Sequence, residues 1–275
     1  MQVVFNNDDF GLGYGINAAV YDCALRGLTT SVSLLADGPA YAQAVNMLQT
    51  DLQHVGVGVH LNFTDGPAYH QSFLTLLFAN LRPCPRFLAA IKKDFARQIA
   101  KIKKSGLPLD HVDSDKHIHL IPALFEITCQ LAHEHHLPYI RLVREPNYAS
   151  LPSKYSSRLK WGLLNYLSRI DAPLARGYGL EVVDAFYGVK YTNQMTAAVI
   201  KAALLHSRQK GYGKIEILAH PGYLGDPRDQ VLTSDFMTKY AQQPNREREA
   251  AVFQSRELLQ FLAKHHLERA TFSSK

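Results

Sequence analysis

The ionisable residues of this chain that break an apolar pattern collect at the ends of short apolar runs. Val3-Val4-Phe5 leads into Asn6-Asn7-Asp8-Asp9, and a Val/Gly run from Val55 to Val59 delivers His60. His111-Val112 opens the run Asp113-Ser114-Asp115-Lys116-His117-Ile118-His119. Tyr139 to Val143 carries Arg141 and leads to Arg144, and Ile215 to Ala219 ends in His220. Carboxylates and imidazoles are the groups that hold divalent cations and move protons near neutral pH. Adjacent Asp8 and Asp9 point in different directions, so one could ligate a cation while the other takes a proton from water. The same pair before Phe10-Gly11 is also ordinary turn chemistry, and His60 and His220 could equally be hydrogen-bonded histidines at strand ends. If the fourth run stays extended, alternation puts Asp113, Asp115, His117 and His119 on one face. Four such groups are costly to bury unless they are paired or bind a metal.

These residues need elements to aim them. Ile16, Ala19, Val20, Cys23 and Ala24 have helical spacing, and Gly27 is a good stop. Ser31 to Ala36 reads as a strand, Pro39 to Leu48 as a helix, and Leu88, Ile91, Phe95, Ile99 and Ile102 mark one face of a long helix closed by Gly106. Further helices are expected at about 122–136, 194–209 and 246–265, with one or two between 148 and 179. Strands are expected at 139–143, 181–186, 215–219 and 270–273. Strands alternating with helices argue for right-handed parallel crossovers and an α/β fold. A length of 275 residues would allow two domains, but no linker or internal repeat divides the chain, and 1–275 reads as a single domain. In a parallel α/β barrel the carboxyl ends of the strands form one rim, where five strands would aim acids, histidines and an arginine together.

Composition excludes other classes. With 47% hydrophobic and 20% charged residues the chain can build a large core. A net charge of +6 over this length is a mild excess that does not argue for nucleic acid. Cys23, Cys84 and Cys129 are far apart, with no CxxC pair, which favours a reducing compartment over a disulfide framework. With no secretory signal pattern and no apolar run of membrane-spanning length, no membrane span is expected and the expected location is cytoplasmic. Gly11-Leu12-Gly13-Tyr14-Gly15 has Ile16 where a dinucleotide loop needs its third glycine, beside two carboxylates that would repel a pyrophosphate. His133-Glu134-His135-His136 is not HExxH, because position 137 is leucine. Lysines 92, 93, 101, 103 and 104 read as the solvated face of their helix.

Five segments, in order, resemble one family. Asn6-Asn7-Asp8-Asp9-Phe10-Gly11, Thr29-Thr30-Ser31-Val32-Ser33-Leu34, Gly56-Val57-Gly58-Val59-His60-Leu61, His111 to His119 and His220-Pro221-Gly222 look like the YdjC-type carbohydrate deacetylases, which include chitooligosaccharide deacetylases. Gly106 to Asn147 looks closest to the branch associated with hopanoid biosynthesis. The resemblance implies an irregular (β/α) barrel of seven or eight parallel strands and metal-dependent removal of an N-acetyl group from an amino sugar or glycolipid. It implies Asp9 and His60 as metal ligands, Asp8 as general base and His220 as general acid. The third family ligand is usually a histidine directly after Asp-Ser; here it is Asp115.

An aspartate in that place shifts a one-histidine, two-carboxylate site toward magnesium first, with manganese, iron or zinc also accommodated. His117 or His119 could substitute for it. Arg141 would orient Asp8 or the substrate, or form a structural ion pair. Tyr14, Asn62, Lys116 and Tyr223 are the expected sugar contacts, with Tyr69 and Tyr187 as further aromatics that could stack on sugar faces or simply cover the core. A homodimer is the default expectation. Two alternatives stay open: another metal-dependent amidohydrolase using His117 and His119, and a non-catalytic sugar-binding protein whose metal site has decayed at Asp115.

Overall fold

The computed structural model describes residues 1–63, 73–80, 84–148, 153–231 and 239–274; Tyr69 lies outside them. Strands β1 (Gln2–Phe10), β2 (Ser31–Leu34), β3 (Gly56–Leu61), β4 (Leu109–Ser114), β5 (Tyr139–Ile140), β6 (Ala185–Tyr187) and β7 (Lys214–Ala219) form one parallel sheet in the order β5-β4-β3-β2-β1-β7-β6. A short β8 (Glu268–Arg269) pairs with the start of β1. The sheet curls into an open barrel. Its two outer strands approach through a bridge between Tyr139 and Glu181 and a hydrogen bond from the Phe186 N–H to the Arg144 carbonyl. Helices α1 (Tyr14–Arg26), α2 (Tyr41–Thr50), α3 (Phe73–Asn80), α4 (Pro85–Lys103), α5 (Pro122–Glu134), α6 (Tyr155–Gly177), α7 (Ala197–Lys210), α8 (Asn245–Phe253) and α9 (Arg256–Lys264) are interleaved with the strands. This is the α/β class and strand direction that the sequence implies.

Several boundaries differ from expectation. β1 runs through Asp8 and Asp9 to Phe10, because its polar residues find partners inside the barrel: Asn6 Nδ2 donates to Ser33 Oγ at 2.8 Å and Thr29 Oγ1 donates to Asn7 Oδ1 at 2.5 Å. β4 stops at Ser114. Asp115–Leu120 forms a 3₁₀ segment with left-handed backbone at Lys116 (φ 51°) and His117 (φ 60°), so alternation fails there and the four polar side chains of that run do not share a face. The last helix is two, divided where Ser255 caps α9 by accepting from the Leu258 N–H. The final strand is Glu268–Arg269 rather than 270–273. On α4, Ile91, Phe95, Ile99 and Ile102 are buried while lysines 93, 101, 103 and 104 face solvent.

Two internal positions make testable demands. Gly58 faces the His111 ring, and a Cβ built there would lie 2.1 Å from His111 Nε2. Neither can move freely: Gly58 and His111 are paired across the β3–β4 ladder, and His111 is tied to Asp110 at 2.6 Å. Gly58→Ala should therefore cost about 2–3 kcal/mol of stability, an overpacking penalty that urea unfolding would read. On the inward face of α6, buried Asp171 has an oxygen without a partner, and burial pushes its carboxyl up to about 7. The folded state thus holds a proton there that the unfolded chain releases at an ordinary carboxylate pKa. Its contribution to stability falls as pH rises from about 4 to about 7. Asp171→Asn should raise the melting temperature at pH 8 and change it little at pH 4; thermal melts at the two pH values decide it.

Candidate functional site

The carboxyl ends of the strands meet around a cavity of ≈ 140 Å³ whose wall includes Asp8, Asp9, His60, Asp115, His117 and His220. Asp8 and Asp9 come from β1, and Asp9 has φ 68°, a left-handed backbone that a side chain rarely adopts. That kink coincides with a register shift between β1 and β2 after Asn7, and the two neighbouring carboxylates make separate contacts.

Asp8 is gripped by Arg141: Nη1 donates to its Oδ2 at 2.9 Å and Nη2 to its Oδ1 at 2.8 Å. The same guanidinium lies 2.7 Å from Asp113 Oδ2, and its Nε donates to Glu216 Oε1 at 2.9 Å. Arg141 is 1% exposed, so this is a buried cation shared by three carboxylates. Burial alone would raise all three carboxyls. Arg141 reverses that for Asp8, held well below the usual carboxylate range, and for Asp113, held at about 2, with help from His60 at both. Burial prevails at Glu216, which is pushed up to about 7.

His60 ends β3 with its two nitrogens in different roles. Nδ1 is 2.6 Å from Asp113 Oδ1, while Nε2 is 3.7 Å from Asp9 Oδ1, too far for a hydrogen bond. Asp9 Oδ2 accepts from Arg246 Nη2 at 2.7 Å. Burial would lower the imidazole, but Asp8 and Asp113 overcome it and raise His60 to about 9. Without a cation, an imidazolium proton thus supplies positive charge between these carboxylates.

Two sets of side chains bring ligand atoms within 4.8 Å of one another: Asp8, His60 and Asp113, and Asp9, His60 and Asp115. In the first set the carboxylates are taken up by Arg141 and by His60 Nδ1. The second fits a divalent cation better. It joins two carboxylates to an imidazole whose Nδ1 is fixed by a carboxylate, the support that orients metal-ligating histidines.

The remaining expected residues divide. His220 reaches the cavity, with its backbone N–H on Glu249 Oε2 at 2.7 Å. Lys116 lines the same cavity, its Nζ 3.3 Å from Asp115 Oδ2. His117 lines it too, buried, with Nδ1 unpartnered and its pKa lowered well below the usual value by burial. His119 does not: Nδ1 meets Ser114 Oγ at 2.6 Å and Nε2 meets the Arg141 carbonyl at 2.9 Å, so both nitrogens are used in the fold. Asn62 is not among the residues lining the cavity; its backbone N–H donates to Gln98 Oε1 and its carbonyl accepts from Gln98 Nε2. Tyr14 packs under Arg228, and Tyr223 donates its hydroxyl to Asp22. Tyr187 is fully buried with its hydroxyl on Ser207, which excludes it as an exposed stacking platform.

Sequence reasoning missed four residues here. Glu216 lies inside β7, and its place between Ile215 and Ile217 was a readable sign of a buried ion pair. Lys160 and Tyr240 line the cavity from α6 and from a polar segment with no pattern of its own, and Arg246, in the same segment, reaches Asp9.

The sequence profile of the family described as YdjC-like protein matches residues 2–264. The chain is 25% identical to a carbohydrate deacetylase of Clostridium beijerinckii over 99% of both chains. It is 24% identical to a chitooligosaccharide deacetylase of Proteus mirabilis over 82% of this chain and 83% of that one. A crystal structure of a protein from Enterococcus faecalis V583 shares the fold, with TM-score 0.73 and 19% identity over 98% of this chain and 97% of that one.

Arg141 sets a test that needs no substrate. Arg141→Met would leave buried carboxylates without their counter-charge, at a cost of about 3–5 kcal/mol. Arg141→Lys keeps the charge but loses the fork, so chemical denaturation should rank the native protein above the lysine variant and the methionine variant last.

Proposed function

The chain belongs to the YdjC-like protein family, and from that premise we propose that it is a metal-dependent carbohydrate deacetylase, removing the N-acetyl group of an amino sugar or glycoconjugate. The observation that carries this reading is the convergence of Asp9, His60 and Asp115 on the cavity that Asp8 and His220 also face. The names of the relatives at 24–25% identity support the substrate class.

Asp9, His60 and Asp115 would hold the cation, with magnesium favoured by the oxygen-rich set. A divalent cation there supplies electrostatic polarisation of the amide carbonyl and a more acidic water. Asp113 fixes the His60 ring so that Nε2 is presented to the cavity. Asp8 is ionised and cannot swing away, because Arg141 binds both its oxygens. That grip also weakens it as a base, so Asp8 takes a proton only from a water more acidic than bulk. His220, across the cavity, delivers a proton to the leaving amine nitrogen, and Glu249 anchors its backbone. Lys116 and His117 bound the space for the sugar. No described helix is long and apolar enough to cross a membrane, and the three unpaired cysteines fit a cytoplasmic setting.

Acetate release from a panel of N-acetylated sugars, measured after chelation and after return of single divalent metals, tests the proposal. Release should vanish on chelation and return with a metal. His60→Ala and Asp9→Asn should each lower turnover by at least about 10³-fold, the scale of losing a catalytic electrostatic contact. Release that survives chelation, or full activity in either variant, would overturn it. Sugar binding without turnover under every metal would favour the non-catalytic alternative.

A further inference from the structure

Outside the β5–β6 gap lies a second concavity, ≈ 710 Å³, that shares no lining residue with the catalytic cavity. Along α6 its wall is Gly162, Asn165, Arg169, Ala172 and Arg176, spaced three and four apart and therefore on one helical face about 21 Å long. Opposite stand Arg144, just after β5, and Tyr212, just before β7. Trp161 and Tyr166 complete it, and Trp161 is the single tryptophan of the chain.

The charges of this cleft are unbalanced. Among the described residues the guanidiniums of Arg144, Arg169 and Arg176 have no hydrogen-bond or ion-pair partner. Two carboxylates, Asp184 and Glu145, also stand in the wall, and both accept from backbone N–H groups. Asp184 Oδ2 accepts the backbone N–H groups of Gly213 and Lys214, at 2.7 and 3.1 Å. Glu145 turns both oxygens to the N–H groups of Gly188, Val189 and Lys190, at 2.8–3.1 Å. Elsewhere on the surface, Arg97 pairs with Asp37 and Asp94, and Arg228 with Asp226. With three guanidiniums against two carboxylates in its wall, the cleft has an excess of positive charge, and a concave surface focuses such a field on what enters. Guanidinium forks match phosphate geometry, and aromatic side chains offer faces for a ring. The volume is that of a small-molecule site.

We infer that this cleft is a second binding site, for a phosphorylated small molecule whose anion is taken by Arg144, Arg169 and Arg176 and whose ring lies against Trp161 and Tyr166. It stands independently of the deacetylase reading.

The lone tryptophan makes the test direct. Metal-free full-length protein at physiological salt is titrated with glucose 6-phosphate, pyrophosphate, orthophosphate and, as the uncharged control, glucose, while Trp161 emission is followed. The expected result is a saturable change with glucose 6-phosphate at a Kd below about 1 mM, a weaker one with pyrophosphate, and none with glucose. Orthophosphate acting as well as glucose 6-phosphate would assign the recognition to the anion alone and overturn the ring contact. Arg169→Gln and Arg176→Gln, both on the exposed face of α6, should each weaken binding by at least about tenfold, one charge-assisted contact. Asp9→Asn should leave the titration unchanged, which separates this site from the catalytic cavity. No saturable response to any phosphate probe, or an unaltered Kd in the Arg169→Gln/Arg176→Gln double variant with a native circular dichroism spectrum, would overturn the proposal.

Discussion

The interior of this barrel is organised by one guanidinium. Arg141 enters from just past β5 and binds Asp8 from β1, Asp113 from β4 and Glu216 from β7. Taking these charges out of water is tolerable only while they stay paired at hydrogen-bonding distance. That condition constrains strand register, because each carboxylate must arrive at the level of the same planar fork. Glu216 pairs across β7 with Val4 of β1, and Asp113 pairs across β4 with His60 of β3. A slip of one residue in either ladder would turn a carboxylate to the opposite face of the sheet and leave it buried without its partner.

The same network shapes the chemistry available above it. Carboxylates outnumber cations at the strand ends, and the His60 imidazole takes up part of the difference, held near 9 by Asp8 and Asp113 against the opposing effect of burial. A divalent cation in the Asp9, His60 and Asp115 set would replace that proton with a larger charge in the same field. The left-handed backbone at Asp9 is what allows adjacent carboxylates to serve two partners, Arg141 and Arg246. A regular strand would have put Asp9 on the outer face. The strain of that backbone is confined to the residue whose position the site needs, a pattern typical of functional positions.

Much of this was legible from residue types and spacing. Alternating strands and helices implied the parallel α/β architecture, and acids and histidines at successive strand ends implied a common rim. The limit of the reading is visible at Asp115–His119. Period-two logic assumes extended backbone, and the left-handed turn at Lys116 and His117 breaks it, sending His119 into structural bonds while Asp115 and His117 face the cavity. Nothing local marks that turn, since neither residue is glycine. Arg246 was unreadable for another reason. Its partner Asp9 lies 237 positions away, and its own helix has no polar pattern that singles it out. Long-range charge pairing is set by the curled sheet, so it becomes visible only once the fold exists.

The cleft beside α6 and the catalytic cavity are separate spaces with a common wall. Glu145 lies at the edge of the cleft and takes the N–H groups of residues 188–190; the same loop then supplies Thr192 and Asn193 to the catalytic cavity. Trp161 closes the bracket by donating its indole N–H to the Glu145 carbonyl at 2.9 Å. An ordinary loop would satisfy those three N–H groups with water. Here a single buried carboxylate does so, at a desolvation cost that raises its pKa to about 7. A buried carboxylate with three backbone donors leaves the loop few alternative arrangements, because any displacement unpairs several polar groups at once. The loop bordering the catalytic cavity is therefore positioned from outside the barrel, through the gap where β5 and β6 are only loosely joined.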